Sequence, residues 1–284
     1  MTLAIFGATG QFGGDIIAAL LKRGTAPETI LALGRNEERL AELADQGLRT
    51  AQVDLEDPAS IQPVLTGVAV ALLISIGAPG QGLPLRTNAV TAAKAAGVGH
   101  LVYTSALQAP TTRLVLAAEH KATEEVVRAS GIPATFLRNG WYTENHRQDF
   151  AAAQQRGVIA NSVGAGWFAT APRLDFAEAA AVVLTTTGHE GKAYELSGDS
   201  AWDYTEFAAT AAEALGRAVE YQPLTTKQEH DQLLAAGLDE QTVGFINLLN
   251  ANMADGVFAH TSGDLSRLIG HPTEPLSVTL RSWA

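Results

Sequence analysis

Over the first two thirds of the chain, short runs of aliphatic and β-branched residues alternate with longer stretches whose apolar positions recur at helical spacing. The runs at residues 2–6, 30–34, 50–53, 68–75, 100–104, 134–138 and 193–197 predict strands. The stretches at 13–23, 37–46, 58–65, 86–96 and 114–130, rich in Ala, Leu, Glu and Lys, predict helices between the first six of them. A run such as VAVALLIS, apolar almost throughout, implies burial on both faces. The expected fold class is therefore α/β: a Rossmann-like, doubly wound parallel sheet with right-handed crossovers. Beyond about residue 200 the alternation stops, and DYTEFAATAAEALG, TTKQEHDQLLAAG and LDEQTVGFINLLNANM read as helices with one short strand at 219–221. This divides the chain into a Rossmann domain, 1–200, and a smaller, mostly helical C-terminal cap domain, 201–284. No internal repeat, low-complexity segment or long linker interrupts the pattern.

Composition narrows the partners. With 46% apolar and 17% charged residues the chain has the means to bury a substantial core. A net charge of −11 opposes nucleic acid and anionic membrane surfaces. Cysteine is absent, which removes disulfides, thiolate metal sites and thiol catalysis and fits a reducing compartment. The longest apolar run, 68–74, falls far short of the ~20 residues of a membrane span. The chain also enters its first strand without a basic leader, so the expected location is cytoplasmic.

The loop FGATGQFGG carries the first chemistry. Gly7 permits a tight turn after the first strand, Gly10 admits a pyrophosphate close to the backbone, and Gly13 allows the following helix to pack on the sheet. The helix N-terminus then offers N–H groups to the phosphates. The second strand ends in Gly34-Arg35-Asn36, where an acidic residue would bind the 2′-hydroxyl of NAD and Arg35 instead fits the 2′-phosphate of NADP. Arg39 reads equally as a second phosphate contact or a solvated helix residue. Asp54 is placed to face an adenine ring, and Asp57, before Pro58, reads as a helix N-cap.

A reductase of the short-chain type pairs such a loop with Tyr-x-x-x-Lys. Here Tyr103, Tyr142, Tyr194, Tyr204 and Tyr221 are followed four places on by Leu107, His146, Gly198, Ala208 and Thr225. Counting back from Lys121, the tyrosine position holds Ala117. The usual carbonyl-reductase acid is missing.

FGATGQFGG, LGRNEER, AAEHKATEEVV, LRNGWYTEN, ATAPRLDFAEAAA, HEGKAYELSGDSAW and LIGHPTEPL together resemble the NmrA-like group of atypical short-chain dehydrogenases, and within it the bacterial type 2 NADPH:quinone oxidoreductases. The resemblance implies a Rossmann domain with a small C-terminal domain, NADP(H) as cofactor, and two-electron reduction of a quinone. By position it implies Gly7, Ala8, Thr9, Gly10, Gln11 and Phe12 on the pyrophosphate, Arg35 on the 2′-phosphate, and Ser75, Ile76 and Gly77 along the cofactor. It puts Asn139, Gly140, Trp141, Tyr142, Thr143 and Glu144 beside the nicotinamide end and Arg173 near the cleft. The segment SIGAPGQGLP is richer in Gly and Pro than the group's pattern.

Quinone chemistry fits a chain without the tyrosine acid. An alkoxide from an ordinary ketone needs a general acid, worth ~10²–10⁴ in rate. A hydroquinone anion is stabilised by aromatisation, so positioning of the ring carries more of the catalysis. His120 is a candidate proton donor or a satisfied structural histidine; Tyr142 either bonds the quinone oxygen or packs. Trp141, Trp167 and Phe168 form an aromatic wall or belong to the core. Asp199, Glu206 and His230 lack metal-ligand spacing, and no metal is expected. Two competing readings stand: a non-catalytic NADP redox sensor that binds a partner protein, and an NADPH-dependent reductase of dyes or azo compounds. A homodimer is left open.

Overall fold

The computed structural model describes residues 2–77 and 80–284. Its elements follow the chain as β1 (Leu3–Phe6), α1 (Gln11–Lys22), β2 (Ile30–Gly34), α2 (Glu37–Asp45), β3 (Arg49–Gln52), α3 (Pro58–Ile61), β4 (Val70–Leu73), α4 (Gly82–Ala95), β5 (His100–Ala106), α5 (Ala117–Ser130) and β6 (Ala134–Asn139). They continue as α6 (Arg147–Arg156), β7 (Val158–Asn161), α7 (Arg173–Thr185), β8 (Ala193–Leu196), α8 (Tyr204–Leu215), β9 (Glu220–Pro223), α9 (Thr226–Ala235), α10 (Glu240–Ala254), α11 (Asp264–Ile269) and α12 (Leu276–Trp283). Of the Gly- and Pro-rich segment after β4, Ala78 and Pro79 lie outside the described residues.

Seven strands form one parallel sheet in the order β3-β2-β1-β4-β5-β6-β8. β1 pairs on one side with β2, Leu3 opposite Ile30, and on the other with β4, Leu3 opposite Val70. Every residue of β1, β2 and β4 is buried, as continuous apolar runs require between two helix layers, whereas the edge strand β3, Arg-Thr-Ala-Gln, is half exposed. The strand order reverses between β1 and β4, so the connections there leave in opposite directions and open a crevice at the carboxyl ends of the strands. The doubly wound sheet is therefore as the alternation predicts.

The chain forms two compact units, and neither is contiguous. The first comprises residues up to Pro110, Leu116–Asn139 and Arg173–Leu196; the second comprises Thr111–Val115, Gly140–Pro172 and Ser197–Ala284. This differs from a single cut at residue 200. After β6 the chain leaves the sheet and makes α6 and β7, then returns with α7 and β8. β7 takes its parallel partner from β9, with Val158 opposite Glu220, so residues from both sides of position 200 build the second unit. α7 escapes a periodicity reading because it is apolar nearly all round: Phe176, Ala177, Ala179, Ala180, Ala181, Val183 and Leu184 are all buried.

The ends of β5, β6 and β8 are tied by charge. Glu124, fully buried on α5, accepts from Ser105 Oγ at 2.7 Å, from Arg128 Nη2 at 2.7 Å, and from Arg138 Nε and Nη2 at 2.8 Å each. Arg138 also reaches Glu195 on β8, whose other oxygen accepts the Gln108 N–H at 2.7 Å. Burial alone would push the Glu124 carboxyl up, but the hydrogen bonds from Arg138 and Ser105 outweigh it and hold it below the usual range. Glu124→Ala leaves Arg138 only half compensated in the interior, and unfolding free energy should fall by about 3–5 kcal/mol. Urea unfolding reads this directly; an unchanged midpoint means the network carries no stability.

Candidate functional site

The crevice begins at a turn that only glycine completes. Gly7 adopts φ +83°, and the N–H groups of Gly7 and Ala8 both donate to Leu33 O at 3.1 Å, folding the loop toward the end of β2. A Cβ on Gly13 would lie 2.3 Å from Gly7 O and 2.7 Å from Ala8 Cα, so this glycine brings α1 against the turn itself rather than against the sheet face. A Cβ on Gly10 would meet only Gly7 O, at 3.3 Å, and otherwise open space. The N-terminus of α1 has no side-chain cap and no acidic residue in its first turn, which leaves its leading N–H groups and partial positive charge available to an anion. Gly34 is a requirement that the sequence reading did not single out: a Cβ there would collide with the Thr9 side chain at 2.6 Å.

A cleft of about 310 Å³ opens above this turn, lined by Gly7, Thr9, Gly10, Gly34, Arg35, Asn36, Asp54, Leu55, Glu56, Ile76, Gly77 and Leu85 among others. The charged groups around it are sorted by their partners. Asn36 caps α2 by accepting from Arg39 N at 3.0 Å, and the exposed Arg39 guanidinium is paired with Glu42 of the same helix. Asp57 caps α3, accepting from Ala59 N at 3.1 Å, while Asp54 Oδ1 accepts from Glu56 N at 3.0 Å and shapes its own turn. The Arg35 side chain is exposed and has no partner among the described residues, and its carbonyl accepts from Gln52 Nε2 at 3.2 Å. An uncapped helix start, a glycine cradle and an uncommitted guanidinium at the end of β2 are the groups a phosphorylated dinucleotide requires.

The comparisons agree with that geometry. Residues 7–187 match the NAD(P)H-binding family model. The chain belongs to the NAD(P)H-binding family. It is 42% identical over 275 residues to quinone oxidoreductase 2 of Escherichia coli (strain K12), covering 97% of this chain and 96% of that one. Among solved structures it is similar to the NADPH-dependent quinone oxidoreductase of Escherichia coli complexed with NADPH, with TM-score 0.94, 42% identity and 99% of each chain covered. It is also similar to the triphenylmethane reductase of Citrobacter sp. complexed with NADP(H), with TM-score 0.95, 34% identity and 100% of each chain covered.

Other expected site residues of this NAD(P)H-binding chain fall in several places. Ala8, Gln11 and Phe12 belong to the same turn and helix start as the cleft-lining Gly7, Thr9 and Gly10. Ser75 follows β4 and is held by its N–H donating to Thr104 Oγ1 at 2.8 Å. Arg173 opens α7 and is ion-paired with Asp15 of α1, a bond between packed helices. Asn139 ends β6 in the first unit, while Gly140, Trp141, Tyr142, Thr143 and Glu144 belong to the second unit. There Trp141 packs at a tilt against Phe258, ring centroids 4.8 Å apart, Tyr142 bridges to Ala171, and Thr143 Oγ1 donates to Thr170 Oγ1 at 3.0 Å. The three aromatics read as a wall separate: Phe168 is fully buried in the core and Trp167 is 44% exposed.

His120 is hydrogen-bonded on the sheet side of α5. Its Nδ1 lies 3.1 Å from the hydroxyl of Tyr103, a fully buried β5 residue. Burial, reinforced by the Arg86 cation, pushes the imidazole down to about 4, so it is neutral at physiological pH. Burial raises Tyr103 to about 12, Arg86 offsetting part of the rise. Arg86, 3% exposed, donates through Nε to Thr123 Oγ1 at 3.0 Å and through Nη1 to Ile76 O at 3.4 Å, so the same cation steadies the cleft wall.

Two glycine substitutions separate fold from site. Gly10→Val should leave the unfolding midpoint nearly unchanged yet abolish NADPH binding, because its branches enter the open space beside the turn. Gly13→Val should lower stability by about 1–3 kcal/mol through overpacking against Gly7 O. Calorimetric titration and thermal unfolding check both; full NADPH affinity in Gly10→Val contradicts this placement.

Proposed function

We propose that the chain is an NADPH-dependent quinone oxidoreductase of the cytoplasm, acting by two-electron hydride transfer without a dedicated protein acid. The observation that carries this reading is the 42% identity, over 97% of the chain, to quinone oxidoreductase 2. The loop of residues 7–13 and the unpaired Arg35 beside it support the cofactor half of the reading. The absence of cysteine supports the compartment, and no helix of the described residues is long and apolar enough to cross a membrane.

NADPH bound in the cleft supplies a hydride. The protein's part is binding and orientation: residues 7–13 hold the pyrophosphate, Arg35 the 2′-phosphate, and Ser75, Ile76 and Gly77 the flank of the cofactor. Residues 139–144 are assigned to the nicotinamide end. The locked, neutral His120 and the buried Tyr103 support a reaction whose product anion is weakly basic enough for water to protonate. A triphenylmethane or other dye acceptor is the second reading, favoured by the 34% identity to triphenylmethane reductase.

Arg35→Ala should remove a preference for NADPH over NADH of about 10- to 100-fold, the equivalent of a charge-assisted contact of about 1.5–3 kcal/mol. Equal affinity of the wild type for both cofactors overturns the 2′-phosphate assignment. NADPH oxidation followed against small quinones, dyes and aliphatic ketones tests the reaction itself, with turnover expected for quinones and almost none for the ketones. Substituting His120 or Tyr142 singly should slow the quinone reaction by less than the ~10²–10⁴ of an essential general acid. No NADPH oxidation with any quinone or dye, despite tight NADPH binding, would assign the chain to redox sensing instead.

A further inference from the structure

The second unit contains a cavity of about 800 Å³, larger than the proposed nucleotide cleft, and of the residues assigned to the cofactor only Trp141 is in its lining. Its lining combines two kinds of side chain. His146, Asn161, Tyr204 and Glu229 are polar and each more than nine-tenths buried. Trp141, Leu233, Ile246, Leu249 and Met253 are apolar. This mixture of an apolar surface with a few convergent polar groups is what small-molecule sites share.

Most of the buried polar atoms are already engaged. Glu229 accepts from the Ser162 N–H and hydroxyl and from the Asn250 amide. Asn161 Oδ1 accepts from Val163 N at 3.1 Å and from the Tyr221 hydroxyl at 2.9 Å. The Tyr204 hydroxyl donates to Asp149 Oδ2 at 2.8 Å, and His146 Nδ1 lies 3.3 Å from the same oxygen. What is left over is specific. Asp149, 26% exposed and lining the cavity, has its carboxylate oriented through Oδ2 while Oδ1 has no hydrogen bond among the described residues. Asn161 Nδ2 and His146 Nε2 are buried without partners.

Charge then selects the occupant. The lining carries two carboxylates, Asp149 and Glu229, against one fixed cation, the exposed Arg156. The chain's net charge of −11 draws cations in and repels anions on approach. The half-buried Trp141 ring supplies a surface on which flat rings and cations both pack favourably. We propose that this cavity binds a flat aromatic cation, its positive charge paired with Asp149 Oδ1 and its rings against the apolar lining around Trp141, Leu249 and Met253. The proposal shares Trp141 with the residues assigned to the nicotinamide end, and it is tested by ligand binding alone, with neither NADPH nor an acceptor present.

Berberine, a flat aromatic cation whose fluorescence rises in an apolar site, is the probe, titrated into the full chain. Saturable binding at one site per chain is expected. Asp149→Asn, which retains an acceptor for Tyr204, should weaken it by about tenfold or more. Ala152→Trp, placed on the cavity lining from α6, should abolish it. NADPH affinity and unfolding midpoint should be unchanged in both variants. Arg156→Ala, an exposed change, should tighten berberine by up to about fivefold, and the flat anion 1-anilinonaphthalene-8-sulfonate should bind much more weakly than berberine. If Ala152→Trp proves unstable, Asp149→Asn and Arg156→Ala decide. Wild-type berberine affinity in Asp149→Asn, unchanged affinity in Arg156→Ala, or anion binding as tight as that of berberine overturns the proposal.

Discussion

The nucleotide cleft depends on the absence of a methyl group at residue 13. Gly13 lets α1 start against the backbone of the turn after β1, with no room for a Cβ between it and Gly7 O. That approach aims the uncapped helix start at the crevice, and Gly34 lets Thr9 lie against the end of β2 in the same way. Missing side chains thus set the distance between the first two strand ends and the helix that serves them. The catalytic half of the proposed reaction needs only a well-placed cofactor, so this steric constraint governs more of the function than any titrating group does.

Electrostatics in the first unit is directed at order. Arg86 and Tyr103 are buried and His120 beside them is half-buried; desolvation first, and the Arg86 cation second, disfavour protonation of the histidine, and Arg86 Nη1 donates to Ile76 O. Glu124, Arg138 and Glu195 join three strand ends and hold the backbone of Gln108, whose φ of 51° is the one positive value at a non-glycine among the described residues. Both groups stand behind the loops that follow β4 and β5. They resemble supports for a binding surface more than sources of protons.

The strands of the parallel sheet were legible because runs buried on both faces have no polar positions to confuse the pattern; β1 and β2 agree with the sequence reading to within a residue. The cofactor loop was legible because glycines at these spacings have one steric meaning between a strand and a helix. α6, β7 and α7 were not. α7 has too even a distribution of alanine to show a face, and the four residues of β7 acquire their meaning only from β9, far along the chain. His120 illustrates a different limit. Sequence placed it on the right helix, but its hydrogen bond to the Tyr103 hydroxyl comes from a strand seventeen residues away and could not be read from the pattern.

The parallel pairing of β7 with β9 also bears on how such a chain is made and how it can be recombined. During synthesis β7 emerges well before its partner, and the main sheet receives its last strand, β8, between the two. Neither unit can be finished before stretches of the other have been translated. A fragment ending at residue 200 would retain β7 without β9, and one beginning there would have β9 without β7. Exchange of a whole unit with a related gene would therefore have to transfer several separated segments together, which favours inheritance of the two units as a single block.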